Sequence, residues 1–297
     1  MSQVVSATAK QLIGESQLSR VIDEEVECAS VLALEGDLFQ ISFHAPELSR
    51  RAQPGEFAQI WVEQTHTPLL RRPYSFSRAD PGTGEIAFYV GVVGEGSRRL
   101  RGFAPGQRAR ILGPLGRGFS LPQRPGRSVL ISGGLGAAPF PLLAQVLLQR
   151  GEEVAWINGA RTSSELYPEE LVPEAVNQVI RFTEDASAGS LGRVTAGLGP
   201  QLSGTQRVYA CGPNPMLAAV FQSIAEAASK LAPAPELEVS IEAPMGCGFG
   251  TCLGCAVPLC QSHGGPPLFG LCCRQGPVFP AAMLDWEGLL AQPAHLE

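Results

Sequence analysis

Cys247, Cys252 and Cys255 stand at C-x4-C-x2-C spacing, and the adjacent pair Cys272 and Cys273 follows downstream. Thiolates in this arrangement are the ligand set of a plant-type 2Fe–2S cluster, a carrier of single electrons. The intervening residues suit that use. Gly246, Gly248, Gly250 and Gly254 can adopt φ > 0, letting the backbone close around a cluster and aim N–H groups at its sulfurs. Six of the eight cysteines lie between Cys247 and Cys273, with Cys28 and Cys211 far away. A disulfide scaffold would instead spread its cysteines through a short chain. The concentration points to a metal centre, for which zinc is the other candidate four thiolates admit.

Upstream lie five further strings with residues suited to chemistry. Gly133-Gly134-Leu135-Gly136-Ala137-Ala138-Pro139 follows a short apolar run and opens an apolar helical stretch. A strand-to-helix turn of glycines can cradle a pyrophosphate on helix N–H groups. Pro139 stands where the third glycine of G-x-G-x-x-G would fall. Arg72-Pro73-Tyr74-Ser75-Phe76-Ser77 is an extended segment whose arginine can pair with phosphate and whose tyrosine can stack on a flat heterocycle. Gly94-Glu95-Gly96-Ser97 and Gly113-Pro114-Leu115-Gly116-Arg117-Gly118-Phe119 are glycine-dense turns able to offer backbone N–H groups, and the Ser97 hydroxyl, to a second phosphate pair. Cys211-Gly212-Pro213-Asn214-Pro215-Met216 ends a strand and enters a helix, the place where open α/β sheets hold ligands.

The elements that must position these strings are readable in outline. Runs at Glu27–Leu34, Leu38–His44, Phe57–Val62, Ile86–Val92 and Arg108–Leu112, separated by Gly/Pro turns, predict an antiparallel β-barrel. From Ser128 on, strand candidates at Ser128–Ser132, Val154–Gly159, Gln178–Thr183 and Arg207–Cys211 alternate with helix candidates at Pro139–Gln149, Ser164–Leu171, Thr195–Leu202 and Pro215–Leu231. That alternation predicts a doubly wound α/β domain. Ala232–Pro235 reads as a linker, and a short helical tail is expected around Ala281–Leu290. The expected organisation is therefore multidomain: an N-terminal arm (1–25), a β-barrel (26–121), an α/β domain (122–232), a cysteine module (236–280) and a tail (281–297).

Composition narrows the function classes. The 297 residues are 44% hydrophobic and 17% charged, with a formal net charge of −6, which disfavours a nucleic-acid binder. No apolar run approaches the roughly 18–20 residues that cross a bilayer. The opening residues lack the basic-then-apolar layout of a secretory signal, so the cytoplasm is the expected location. The four histidines show no metal or triad spacing, and His263, beside the cysteine loop, reads as a solvated loop residue.

The strings, in this order, resemble the ferredoxin–NAD(P) reductase superfamily, and with the cysteine module the chain looks like the electron-transfer subunit of class 1B dihydroorotate dehydrogenase. The resemblance runs from about Val26 to Phe279. It implies that Arg72, Pro73, Tyr74 and Ser75 bind FAD and that Gly94, Gly96 and Ser97 hold its pyrophosphate. Gly113–Phe119 matches the family's G-P-L-G-x-G-F string, with Arg117 at the variable position. It assigns Gly133, Gly134 and Gly136, with Ala138 and Pro139, to NAD and brings Cys211 and Gly212 towards the nicotinamide. Thr183–Gly189 is similar to the family's T-D-D-G-S-x-G but carries Glu184 and Ala186 at two of its positions. Cys247, Cys252 and Cys255 become cluster ligands. Cys273 becomes the fourth, because Arg274–Phe279 matches the string that follows the family's last cysteine.

The resemblance also implies a division of labour. NAD exchanges hydride, a cluster exchanges one electron, and a flavin does both, so FAD is expected between them. Dihydroorotate would be oxidised on the FMN of a separate catalytic subunit, most simply in a heterotetramer, and its electrons would reach NAD+ through the 2Fe–2S cluster and FAD. The rival readings are the flavin subunit of a hydrogenase or a ferredoxin–NADP oxidoreductase, and a zinc-stabilised binding module on a degenerate reductase scaffold.

Overall fold

A computed structural model describes residues 18–62, 69–228, 231, 233–261 and 267–292. Most of the expected N-terminal arm, the end of the tail, and His263 lie outside the described residues.

The first sheet contains β1 (Ile22–Ala33), β2 (Leu38–His44), β3 (Phe57–Trp61), β4 (Arg72–Ser75), β5 (Arg78–Asp80), β6 (Glu85–Gly91) and β7 (Arg108–Leu115), all antiparallel, in the order β4-β3-β7-β1-β2-β6-β5. Its two edge strands, β4 and β5, are separated in the chain by only Phe76 and Ser77. A flat seven-stranded sheet would hold its edges some six strand spacings apart, close to 30 Å, so the sheet must curl until they meet. The backbone records the join. Phe76 N–H still bonds the Glu56 carbonyl beside β3, at 3.2 Å, while Ser77 N–H bonds Ala87 of β6, at 2.8 Å. Phe39, Ile41, Phe43, Phe76 and Phe88 are buried in the interior so formed. The predicted barrel is therefore a curled sheet closed by its shortest connection. Two short helices, α1 (Pro46–Arg51) and α2 (Glu95–Arg101), interrupt it, and β1 begins upstream of the run read from sequence.

The second sheet begins with β8 (Arg127–Gly133), which leads into α3 (Phe140–Gln149). β9 (Glu153–Ala160), β10 (Gln178–Thr183) and β11 (Ser190–Leu191) follow on one side, parallel to it. After α4 (Thr195–Leu198) the chain crosses to the other side of β8 as β12 (Thr205–Cys211), followed by α5 (Asn214–Ala228). The expected helix at Ser164–Leu171 does not form: only 3-10 turns at Ser163–Glu165 and Glu169–Leu171 appear. Pro168 between them lacks an N–H and disfavours helical backbone at Tyr167.

The cysteine segment is sewn into this sheet. It contributes β13 (Glu236–Ser240), parallel to β12, then a separate hairpin of β14 (Ala256–Leu259) and β15 (Leu268–Leu271), and finally β16 (Val278–Pro280), antiparallel to β13 at the sheet edge. The final helix, α6 (Trp286–Leu290), stacks Trp286 on Phe221 of α5, with ring centroids 5.5 Å apart. One hydrophobic core joins Phe57 and Leu115 of the barrel, Val208 and Leu217 of the α/β half, and Cys255 and Cys273 of the cysteine segment.

The turn into β3 carries a buried acid. Glu56 is 3% exposed and accepts hydrogen bonds from Gln53 N–H and Arg20 Nη1, each at 2.8 Å. Burial outweighs both partners and pushes its carboxyl up to about 7. A raised folded-state value means the folded protein holds this proton where the unfolded chain has released it. Its contribution is therefore fully present below about pH 4.5 and is lost as pH rises to about 7, at about 1.4 kcal/mol per pH unit. Urea-unfolding curves of Glu56→Gln and the unsubstituted protein between pH 5 and 7 should differ by that slope, with the variant flatter. Parallel pH profiles would refute the assignment.

Candidate functional site

Three groups of residues converge on the junction between the sheets. In the barrel, β3 pairs with β4 in the register Phe57–Ser75, Ala58–Tyr74, Gln59–Pro73 and Ile60–Arg72. Tyr74 leans on Phe88, with ring centroids 6.3 Å apart, and burial raises its hydroxyl well above the ordinary tyrosine value. Arg72 donates to the Leu70 carbonyl at 2.8 Å, and its stem lies over Gly96, where an added Cβ would stand 3.0 Å from Arg72 Cγ. Two strings distant in sequence, Arg72–Ser75 and Gly94–Ser97, thus meet. Their meeting sets a guanidinium beside the first turn of α2, whose N–H groups have no intrahelical partner. That is a fit for the paired phosphates of FAD.

Ser97 is bonded within its own turn. Its hydroxyl accepts from Val93 and Gly94 N–H at 3.0 and 3.1 Å and donates to the Gly94 carbonyl. It therefore shapes the turn that opens α2.

The Gly113–Phe119 string is a junction. A Cβ on Gly116 would fall 2.6 Å from Pro277 Cδ and 2.7 Å from the Gly276 carbonyl oxygen. Arg117 N–H donates to that carbonyl at 2.5 Å. Just beyond, Ser120 gives its N–H and hydroxyl to the buried Glu238 carboxylate of β13, at 2.7 and 2.8 Å. These bonds lock the barrel to the cysteine segment, a role that the glycine content alone does not distinguish from phosphate binding.

In the α/β half, Gly133, Gly134 and Gly136 and the Cys211-Gly212 pair come together at the carboxyl ends of neighbouring strands, with Ser132 of β8 opposite Cys211 of β12. From β8 the chain winds one way through β9, β10 and β11 and the other way through β12 and β13, so the crevice between β8 and β12 is the topological switch point. The packing there is close. A Cβ on Gly136 would sit 2.3 Å from the Cys211 carbonyl oxygen, and one on Gly133 would sit 2.6 Å from Met216 Sδ. Gly134, at φ +53°, has nothing within 4 Å of its would-be Cβ among the described residues. Cys211 is 4% exposed, and burial pushes its thiol far up. It contributes shape and backbone to this crevice as an un-ionised thiol. The Thr183–Gly189 loop closes on itself: Thr183 Oγ1 donates to the Ala188 carbonyl at 2.8 Å, and Ala186 holds a left-handed φ of 61° where the resembling family has glycine.

The cysteines form two pairs. Cys247 Sγ accepts from the N–H groups of Thr251 and Cys252 at 3.3 and 3.4 Å, and the Cys255 and Cys273 sulfurs are 3.2 Å apart. Cys273 N–H points at Cys255 Sγ at 3.4 Å, and the Gly250 N–H points at Cys273. Burial pushes the Cys247 thiol up, but hydrogen bonds from Cys252, Phe249 and Thr251 outweigh it and bring it to about 7. The hydrogen bond from Cys273 brings Cys255 down to about 6, and the same contact drives Cys273 up.

Cys272 faces the other way, 0% exposed, with its thiol on the Ile241 carbonyl at 3.3 Å. Among the described residues no three metal-ligating side chains meet at one ion position. Four thiols arranged as two pairs, ringed by N–H donors, fit a cluster of two irons, each needing two terminal thiolates. Of the four loop glycines only Gly248 and Gly250 are left-handed, at φ 81° and 91°; Gly246 and Gly254 flank Cys252 Sγ with ordinary φ, and Leu253 takes φ 61°.

Gln59 escaped the sequence reading. It is 0% exposed on β3, and a Cβ on Gly248 would meet its Cγ at 2.6 Å and its Nε2 at 2.7 Å. The available signal was a polar residue inside the otherwise apolar run Phe57-Ala-Gln-Ile-Trp61.

Comparison with known proteins agrees with this geometry. The family model described as the iron–sulfur cluster binding domain of dihydroorotate dehydrogenase B matches residues 242–285, and that of the oxidoreductase NAD-binding domain matches 130–222. The dihydroorotate dehydrogenase B (NAD(+)) electron transfer subunit of Desulforamulus reducens is 35% identical over 272 residues, covering 91% of this chain and 100% of the relative. Its counterpart in Geobacillus kaustophilus is 32% identical over 260 residues, covering 87% and 96%.

Among solved structures, the NADH-dependent reduced ferredoxin–NADP oxidoreductase superposes with a TM-score of 0.74 at 25% identity, covering 89% of this chain and 91% of that one. A ferredoxin–NADP+ reductase from Neisseria gonorrhoeae, with FAD and NADP bound, shares the fold at a TM-score of 0.60 and 18% identity, covering 74% and 99%. Among the described residues no helix is long and apolar enough to cross a membrane. With similarity sustained over almost its whole length, and a cysteine segment matched by the family's own cluster domain, the chain belongs to the electron-transfer subunits of dihydroorotate dehydrogenase B.

Proposed function

We propose that this chain is the subunit through which a dihydroorotate dehydrogenase B delivers electrons to NAD+, in the cytoplasm, as part of a heterotetramer with an FMN-bearing catalytic subunit. The observation that carries this reading is the placement of the paired cysteines against β3, the strand hydrogen-bonded to β4, so that the cluster loop and the flavin strand are neighbours. When bound, FAD supplies the exchange between the two-electron chemistry of NAD and the one-electron chemistry of an iron–sulfur cluster.

The residues have separable tasks. Arg72 and the first turn of α2 hold the flavin's phosphates, Tyr74 and Ser75 face its ring, and Gly133, Gly134, Gly136 and Gly212 shape the dinucleotide crevice. Cys247, Cys252, Cys255 and Cys273 hold the cluster. No general acid or base is required of this chain, because oxidation of dihydroorotate belongs to its partner.

The cluster segment also supports the partner reading. Phe249 and Leu253 on the loop and Leu268 and Phe269 on β15 are exposed large apolar side chains, as a docking face for another protein would present. The test is co-expression with a dihydroorotate-oxidising subunit. A stable complex should reduce NAD+ with dihydroorotate, while this chain alone oxidises NADH with an artificial dye but leaves dihydroorotate untouched. Exclusive assembly with a ferredoxin-dependent or hydrogenase partner would replace the reading with its nearest rival.

A further inference from the structure

Gln59 presents a problem that the fold leaves open. It is completely buried, yet among the described residues neither its Nε2 nor its Oε1 has a hydrogen-bond partner. Leaving a buried amide unpaired costs about 1–3 kcal/mol for each group, so a side chain of this kind in mid-strand signals a partner that belongs there. Its neighbours indicate where. Along β3 the residues alternate: Ala58 and Ile60 join the barrel interior, whereas Phe57 joins the core that contains Cys255, Cys272 and Cys273. Gln59 shares the face of Phe57 and so looks out of the barrel towards the cysteine segment. What it meets is Gly248, next to the ligand Cys247, and Gly248 is the residue whose missing side chain leaves room for the amide.

We infer that Gln59 is a positioning residue for the iron–sulfur centre: its carboxamide N–H donates to the sulfurs held by the Cys247 loop, stabilising the reduced form and fixing the loop against the flavin strand. The inference rests on the cluster reading above. Cluster and thiolate sulfurs only accept, and the loop already supplies backbone N–H groups to Cys247 and Cys273, so one further donor acts in the same sense. A hydrogen bond to these sulfurs favours the added electron, because reduction increases their negative charge.

The experiment is an EPR-monitored redox titration of the holoprotein carrying FAD and cluster, unsubstituted and as Gln59→Met, which keeps the volume and removes the donors. The cluster's midpoint potential should fall by the equivalent of roughly a tenfold weaker reduction equilibrium, about 59 mV for one electron. The flavin midpoint should stay in place. An unchanged cluster potential overturns the inference, and so does a shift confined to the flavin, which would make the flavin the amide's partner.

Gln59→Glu provides a second reading. Buried beside a negatively charged centre, the new carboxyl stays protonated and keeps one O–H donor, so the potential should fall less than in Gln59→Met. If both variants bind FAD and fold by circular dichroism but expel the cluster, the inference also fails, since loss of one donor should retune the centre and not dismantle it. Absence of a cluster from the unsubstituted, anaerobically purified protein would instead be a failure of the cluster reading itself.

Discussion

Cys273→Ser should yield a protein that keeps its FAD and lacks its iron–sulfur centre, whereas Cys272→Ser should keep both. The two residues are chain neighbours in the tight turn that follows β15, where Arg274 and Gln275 N–H both bond the Leu271 carbonyl, and their thiols take different partners. Cys273 Sγ is 3.2 Å from Cys255 Sγ, while Cys272 Sγ rests on the Ile241 carbonyl in the hydrophobic core. A serine at 272 retains a donor for that carbonyl and costs the fold about 1 kcal/mol. A serine at 273 withdraws one of four thiolates from two irons that need two each. Iron and sulfide analysis, with the visible spectrum after anaerobic purification, measures the outcome. Dye-linked NADH oxidation should persist in both variants, because the dinucleotide crevice between β8 and β12 does not involve either residue. Retention of a full cluster by Cys273→Ser, with loss in Cys272→Ser, would reverse the ligand assignment.

The second large effect is expected at Gly136. An alanine there places Cβ 2.3 Å from the Cys211 carbonyl oxygen and 2.6 Å from Gly212 Cα, both backbone atoms that cannot swing aside. The turn must part from its neighbour by about an ångström, and displacement of that size at a reacting position costs on the order of a hundredfold in rate. Gly136→Ala is therefore expected to lower kcat/KM for NADH in the dye assay by about that factor while FAD content stays stoichiometric. Gly134→Ala is the matched control. Its Cβ meets nothing within 4 Å, and its penalty is limited to a left-handed φ of 53°, about 1–2 kcal/mol. Equal losses in the two variants would mean that close approach is not what Gly136 provides.

The legible parts of this molecule were those with a local cause. Parallel strands flanked by turns, such as Gln178–Thr183, and glycine strings at strand ends announce themselves, and Leu38–His44 was read with its observed bounds. β4 lies within the segment Arg72–Ser77, legible as extended, whereas the three-residue β5 is defined by its pairing with β6 and is too short to carry an alternation of its own. Ser164–Leu171 looked helical by composition, and a single proline decided otherwise.

At the site, the cysteine spacing indicates a cluster but leaves Cys272 and Cys273 open; it is the resemblance of Arg274–Phe279 to the family's string that selects Cys273, because which thiol faces Cys255 depends on the turn after β15. Likewise, Gly94–Ser97 and Gly113–Phe119 look alike as strings. The first lies against Arg72, the second against Gly276 and Pro277, and only those long-range neighbours separate a turn set beside a guanidinium from one that joins two segments of the fold.

The way the cysteine segment is stitched into the second sheet has a consequence for anyone wishing to dissect this protein. Ala232–Pro235 reads as a seam, yet cutting there would not release an electron carrier from an intact reductase. It would remove β13 and β16 from the sheet, bare the flank of β12 on which Cys211 and Gly212 sit, and strip Ser120 of its carboxylate anchor. Carrier and hydride-exchanging half are one mechanical body. A shortened version without iron is therefore best sought by replacing ligands within the loop, with the chain left whole.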